Sequence, residues 1–255
     1  MNTSFSGKTV IVTGSSSGIG SAIARRFGAA GANVVLNSRS RDELETVAKD
    51  LDEGRTLIVE GDIAEDKFPA ALIKAAVDRF GGLDILCNNA GVAVMGAFVE
   101  ASDEDIDKVL SVNVRGTMRM SRAAIPELAK TRGSIVNTSS VSGTGGDWGM
   151  AIYNASKGAV TNFTRALALE LGAKGIRVNA VCPSFTRTGM TESMMDDEEQ
   201  IARFNDRSAL KMPAEPDEIA GAVLFLASED ARKVTGVNLP VDGGVSASNG
   251  QPSQG

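Results

Sequence analysis

The sequence predicts an α/β protein built on a single doubly wound parallel sheet, with helices on both faces. Three observations carry that prediction. Short β-branched or apolar runs alternate with helical patterns from residue 8 to residue 241, without long gaps or internal repeats. The first of these runs breaks abruptly into a glycine turn that opens a helix. Nearly every residue with chemistry to offer falls at or just beyond the carboxyl end of an expected strand, where sheets of this kind form their ligand crevice. A chain of 255 residues fits one such domain, read as residues 1–245, with residues 246–255 as a polar C-terminal tail ordered only against another subunit.

Composition narrows the function classes. The formal charge is −6 and there is no basic cluster, so nucleic acid is not an expected partner. No apolar run approaches the roughly 20 residues of a membrane span, and residues 1–8 lack the apolar core of a signal peptide. Cys87 and Cys182 lie in apolar strand-like runs and read as reduced core thiols of a cytoplasmic protein. The chain has no histidine, which excludes Ser-His-Asp catalysis, a histidine base and histidine-ligated metal; no metal site is expected.

The first strand, residues 8–13, runs into GSSSGIG and then a helix through Ala30. Strand, glycine turn and helix in that order form a phosphate cradle, in which backbone N–H groups at the helix N-terminus face the anion and glycines let it approach. Gly14, Ser16, Ser17, Gly18, Ile19 and Gly20 are its candidate contacts, and the TGxxxGxG spacing differs from the GxGxxG of ordinary dinucleotide folds. The second strand, 33–37, ends in Asn-Ser-Arg, where a dinucleotide fold meets the adenosine ribose. An acid there would bind a 2′-hydroxyl, whereas Arg39 can clamp a 2′-phosphate, so NADP(H) is the expected cofactor and NAD(H) the alternative. A helix over 41–51 leads to a strand over 56–60 and then Asp62 and Ile63. Asp62 can accept from an adenine amino group with the Ile63 backbone nearby, or cap a helix starting near Glu65.

An amphipathic stretch over 66–80 brings in a strand over 83–87 that ends in NNAG. Asn88 and Asn89 can knit neighbouring strands together, while Ala90 and Gly91 leave room for a cofactor ring. Residues 102–130 read as helical with Ser102 as N-cap, which leaves Asn113 mid-helix among apolar neighbours, where it must be hydrogen-bonded, kink the helix or hold a water. Arg115, Arg119 and Arg122 read as a solvated or subunit-facing stripe. The strand over 133–138 delivers Ser139 and Ser140, and a loop with Trp148 precedes a helix reaching about Lys174. A strand over 176–181 gives way to Cys182, Pro183, Ser184 and Phe185, with Thr186 and Thr188 close behind. Residues 189–210, polar and Met-rich, read as a mobile lid over a pocket. A helix over 216–227 and a strand over 237–241 complete the domain.

Tyr153 and Lys157 stand four positions apart at the start of a helix and therefore share one face. An ammonium beside a phenol favours the phenolate, and a Lys together with a cationic cofactor could make Tyr153 a proton carrier near neutral pH.

TGSSSGIG, NNAG, Asn113, Ser140 thirteen positions before Tyr153, and YNASK together resemble the short-chain dehydrogenase/reductase family over roughly residues 7–244. The resemblance implies a Rossmann-like dinucleotide-binding and catalytic domain. Tyr153 would be its general acid/base, and Lys157 would depress the Tyr153 pKa and hold the nicotinamide ribose. Ser140 would hold the substrate oxygen, Asn113 would fix a water, and Asp62 would bind adenine. Thr186 and Thr188 would lie by the nicotinamide carboxamide and phosphates, and Asn89, Ala90, Gly91 and Pro183 would border the cofactor. Two departures stand out: Pro183-Ser184 replaces the usual Pro-Gly, and Ser17 stands where many NADPH-using relatives carry a basic residue.

The implied reaction is hydride transfer between a ketone and a secondary alcohol, in a homotetramer. SVSGTGGDWG, the CPS turn and the C-terminal DGGVSASNGQP are similar to bacterial acetoin/2,3-butanediol dehydrogenases, with Trp148 and Met150 expected to line a small apolar pocket. Reduction of bulkier cyclic or aryl ketones, 3-oxoacyl-carrier-protein reduction and a catalytically silent NADP-binding regulator are the alternatives.

Overall fold

The structure, a computed structural model, describes residues 4–251. Seven parallel strands form one sheet in the order β3-β2-β1-β4-β5-β6-β7. They are β1 (Thr9–Thr13), β2 (Asn33–Ser38), β3 (Thr56–Glu60), β4 (Ile85–Asn88), β5 (Ser134–Thr138), β6 (Arg177–Pro183) and β7 (Asn238–Val241). The chain winds outward from β1 to β3 and then returns to place β4 on the other side of β1, so the switch point lies between β1 and β4.

Both faces of the sheet are covered, which is why the strands read as continuous apolar runs. Val10 and Val12 point to one face, joining Ile23 and Phe27 of α1 (Gly18–Ala29) and Ile219 and Val223 of α9 (Pro216–Ala227). Ile11 points to the other face, with Leu72 of α3 (Phe68–Phe80), Met120 and Leu128 of α5 (Thr117–Thr131) and Leu171 of α6 (Ala151–Leu171). The helix expected over 41–51 ends earlier, as α2 (Arg41–Ala48), followed by a single turn of 3-10 helix at Glu53–Arg55.

The helical stretch beginning at Ser102 is not one regular helix. Ser102 and Asp105 form a reciprocal capping box at the start of α4 (Asp103–Val109), as the sequence leads one to expect. Leu110–Gly116 then widens into a π-helical segment before α5. The wider turn carries Asn113 inward, where it is buried. Residues 189–210, expected as a lid of weak periodicity, form two short helices, α7 (Glu192–Met195) and α8 (Glu198–Arg207). Asp197 caps α8 by accepting from the Gln200 backbone, and Phe204 stacks on Phe185 at 4.1 Å between centroids. In the tail, Ser246 is tied to Asp242, whose carboxylate accepts from its backbone and hydroxyl at 2.8 and 2.6 Å. Residues 252–255 of the tail and residues 1–3 of the leader stretch lie outside the described residues.

Candidate active site

The glycine turn after β1 meets the end of β4 at the switch point, and its glycines are required by contact as well as by conformation. Gly14 has φ +64°, and a Cβ on it would lie 2.7 Å from the Ala90 Cα. A Cβ on Gly20 would lie 2.1 Å from the Gly14 carbonyl oxygen and 2.5 Å from Asn89 Nδ2. The Asn89 amide donates to the Thr13 and Gly14 carbonyls at 3.2 and 3.1 Å, so it shapes the cradle from behind. Asn88 binds Ser121 and Asn137, linking β4 to α5 and β5. Ile19 packs against the α1–α9 core, while Ser17, exposed, is the N-cap of α1 and makes no side-chain capping bond. The free backbone N–H groups at this helix start, approachable only because the glycines lack Cβ atoms, fit a dinucleotide pyrophosphate.

Ser15 was not singled out in the sequence, yet its hydroxyl accepts from the Asn37 backbone at 2.9 Å and stitches the cradle to the end of β2. Two residues on, Arg39 is exposed and projects from that strand tip. Asp62, at the tip of β3, accepts from the Ala64 backbone at 2.8 Å, which makes it a turn former and not the cap of α3, whose N-cap is Lys67. Ile63 is buried against Gly116, where a Cβ would come within 2.9 Å of it. Arg119, expected on a solvated or subunit-facing stripe, donates to the Ala64 carbonyl at 2.6 Å and pairs with Asp66, fixing the same loop to α5.

Tyr153, Lys157 and Ser140 come together beside the ends of β5 and β6. Lys157 is buried, donates to the Thr138 carbonyl at 2.7 Å and stands 5.5 Å from the Tyr153 ring centroid. The Ser140 hydroxyl sits within 3.1 Å of that of Ser142 and 3.4 Å of the Pro183 carbonyl. Gly91 faces this group: a Cβ there would be 3.4 Å from Asn113 Oδ1 and 3.5 Å from Lys157 Nζ. Asn113 accepts from the Val92 backbone at 2.8 Å and donates to the Val92 carbonyl and to Ser156 at 2.8 and 3.0 Å. Its amide hydrogens are therefore spent on the loop after β4 and on Ser156 of α6, and holding a water falls to its remaining oxygen lone pair or its main chain.

Burial sets the electrostatics of this group in the protein alone. Burial pushes the Tyr153 phenol up to about 12, with Ser140 opposing the shift and the negative charge of Asp147 adding to it. Burial likewise pushes the Lys157 ammonium down to about 8. In the protein alone the phenol is thus raised and not lowered, with desolvation of the phenolate as the largest cause.

Trp148, expected to line a pocket, is 95% exposed, carried outward on a glycine-rich turn that ends at Gly149 with φ +68°. The substitution Pro183-Ser184 costs no backbone strain, since Ser184 keeps a negative φ and its hydroxyl donates to the Asp242 carbonyl at 3.2 Å. Thr186 is buried, donating to the Ser184 carbonyl at 2.9 Å, and the Thr188 methyl would lie 3.1 Å from a Cβ on Gly18, against the cradle. A cleft of about 610 Å³ opens there, walled by Ser21, Arg25, Arg187, Glu192 and Asp217, and it borders the phosphate end and not Tyr153. A smaller cavity of about 170 Å³ lies between the loop after β4 and the start of α6, lined by Val94, Met95, Phe98 and Ile152.

A phosphate cradle at the switch point of a parallel sheet, with a phenol and an ammonium converging beside it, defines an NAD(P)-dependent oxidoreductase. Comparison narrows the class. A family model described as Enoyl-(Acyl carrier protein) reductase matches residues 14–246. A relative from Serratia marcescens, "Meso-2,3-butanediol dehydrogenase", is 46% identical over 97% of this chain and 98% of its own. "Glucose 1-dehydrogenase" of Gluconobacter oxydans is 41% identical over 94% of this chain and 92% of its own. A Brucella melitensis crystal structure described as a short-chain dehydrogenase/reductase of glucose/ribitol dehydrogenase type superposes with TM-score 0.92 at 35% identity, covering 96% of this chain and 99% of that one. The protein belongs to the short-chain dehydrogenase/reductase family.

Proposed function

We propose that this protein interconverts a small ketone and the corresponding secondary alcohol, with NADP(H) as the preferred cofactor and the acetoin/2,3-butanediol pair as the substrate class. The observation that carries this reading is the convergence of Tyr153, Lys157 and Ser140 beside a cradle with no room for a Cβ. The 46% identity to a meso-2,3-butanediol dehydrogenase supports the substrate class.

In the proposed site, Gly14, Ser16, Ser17, Gly18, Ile19 and Gly20 present backbone to the pyrophosphate, with Thr188 closing over it. Arg39, exposed at the tip of β2 where no carboxylate stands, clamps a 2′-phosphate. Asp62 keeps one carboxylate oxygen beyond its bond to Ala64 for the adenine amino group, and Ile63, Asn89, Ala90, Pro183 and Thr186 border the rest of the cofactor. Bound there, the nicotinamide would supply or accept the hydride. Lys157 gives one ammonium hydrogen to Thr138 and keeps two donors for the ribose hydroxyls. Gly91 leaves the space between Asn113 and Lys157 open.

Tyr153 hands its proton to the carbonyl oxygen during reduction and takes it back during oxidation, and Ser140 holds that oxygen in place. Residues 189–210 act as the lid, a reading supported by Gly189, Glu192 and Met195, which line the cleft beside Gly18. Exposed Leu110, Met118 and Leu169 on the helices that flank Asn113 and follow Tyr153 support a homotetramer.

Consumption of NADPH and NADH against diacetyl, acetoin, cyclic ketones, aryl ketones and a 3-oxoacyl thioester tests the reading. Highest kcat/KM with NADPH on diacetyl or acetoin is the expected result. A clear preference for NADH would defeat the role of Arg39, and activity confined to bulky ketones would defeat the substrate class.

A further inference from the structure

The loop that links Ser140 to the Tyr153 helix carries a single charged side chain, Asp147. Ser142 is buried, and its hydroxyl donates to Asp147 Oδ2. Ser142 Oγ lies 3.1 Å from Ser140 Oγ, and Ser140 is hydrogen-bonded to the Tyr153 phenol. The carboxylate therefore stands two hydrogen bonds from the Ser140 oxygen, a path of about 6 Å at most. Asn154 holds the loop there by donating to the Ser142 and Gly145 carbonyls at 3.0 and 2.9 Å.

No cation neutralises this charge. Among the described residues no lysine or arginine pairs with Asp147, and the Lys157 ammonium is turned to the Thr138 carbonyl. The field of the carboxylate reaches the reacting group, since Asp147 adds to the upward shift of the Tyr153 phenol. Asp147 is exposed and Ser140 is buried, so the charge lies on the solvent side of the serine, where a substrate has to pass.

We infer that Asp147 is a specificity-determining residue: its carboxylate turns away ketones that carry an anionic group beside the carbonyl, such as 2-oxo acids, and leaves neutral ketones and alcohols unhindered. A ketone whose oxygen reaches Ser140 and Tyr153 brings any carboxylate on the adjoining carbon to a similar distance from Asp147. Two like charges about 6 Å apart cost between about threefold and about a hundredfold in affinity, from the dielectric of water to that of a protein surface. Exposure and salt place Asp147 toward the lower part of that range, at about tenfold. This inference rests on the proposed ketone/alcohol reaction and names the substrates that the same site rejects.

Pyruvate and pyruvamide have nearly the same shape and differ in charge. Their inhibition constants against reduction of diacetyl or acetoin, whichever is turned over faster, are measured at fixed ionic strength for the wild type, Asp147→Asn, Asp147→Ser and Asp147→Glu. The two neutral variants are expected to lower the ratio of the pyruvate constant to the pyruvamide constant by about tenfold. Asp147→Glu, which keeps the charge, holds the wild-type ratio. Added salt moves the wild-type ratio toward that of the neutral variants, because it screens the two carboxylates from each other. Neutral variants with the wild-type ratio, a Glu variant shifted as far as the neutral ones, or a wild-type ratio unmoved by salt overturns the inference alone. Absence of wild-type turnover on both diacetyl and acetoin overturns the proposed reaction and this inference with it.

Discussion

At the scale of single residues, the balance at Tyr153 is between desolvation and nearby charge, and in the protein alone desolvation wins. With the phenol pushed up to about 12, the protonated form that reduction needs persists through neutrality. The sign of the pH dependence follows. kcat/KM for ketone reduction holds level across neutral pH and falls only at alkaline pH, whereas kcat/KM for alcohol oxidation, which needs the phenolate, climbs as pH rises. Paired pH profiles in the two directions check this, and an oxidation rate that rises on acidification would contradict it. Tyr153, Lys157 and Ser140 were legible in the sequence because their spacing fixes a shared face and a strand end. Ser142 and Asp147 were not: a lone acid in a glycine-rich loop shows no periodicity, and its partner is found only by folding the loop. Trp148 misled for the same reason, since apolar character alone does not say whether a loop turns its side chain in or out.

At the scale of elements, the turn between β1 and α1 shows how tightly backbone geometry holds the cradle. Gly20→Ala would drive a Cβ into the Gly14 carbonyl and the Asn89 amide together, neither of which can move without disturbing β1 or β4. We expect a loss of more than about 3 kcal/mol in denaturant unfolding, against less than about 0.5 kcal/mol for Ser17→Ala at the exposed, bond-free N-cap. Strands and most helices were legible because each buries a continuous apolar run or stripe. The π segment at Leu110–Gly116 was legible only as an anomaly, a buried amide in a helical pattern, since nothing in side-chain periodicity distinguishes a widened turn from a kink. The two helices within 189–210 were obscured because their polar faces are turned outward and their order depends on capping by Asp197 and on the Phe185–Phe204 stack.

At the scale of the whole molecule, the candidate site lies where the sheet brings together the ends of strands that are far apart in the sequence. β1 contributes the cradle, β2 and β3 contribute Arg39 and Asp62, and β4, β5 and β6 contribute Gly91, Ser140 and Pro183. That the strands form one parallel sheet was readable from the alternation of strand and helix, and their register was not, because it is set by contacts such as Asn88 to Asn137 and Ser15 to Asn37. The account stands or falls on whether this assembly binds the cofactor independently of the proton carrier it places beside it. The direct test is Tyr153→Phe, with NADPH binding followed by calorimetric titration and ketone reduction followed by the absorbance of the reduced nicotinamide. The account predicts NADPH affinity close to that of the wild type and a loss of turnover of about 10²-fold or more. Turnover retained in a variant that still binds NADPH would show that the proton comes from elsewhere.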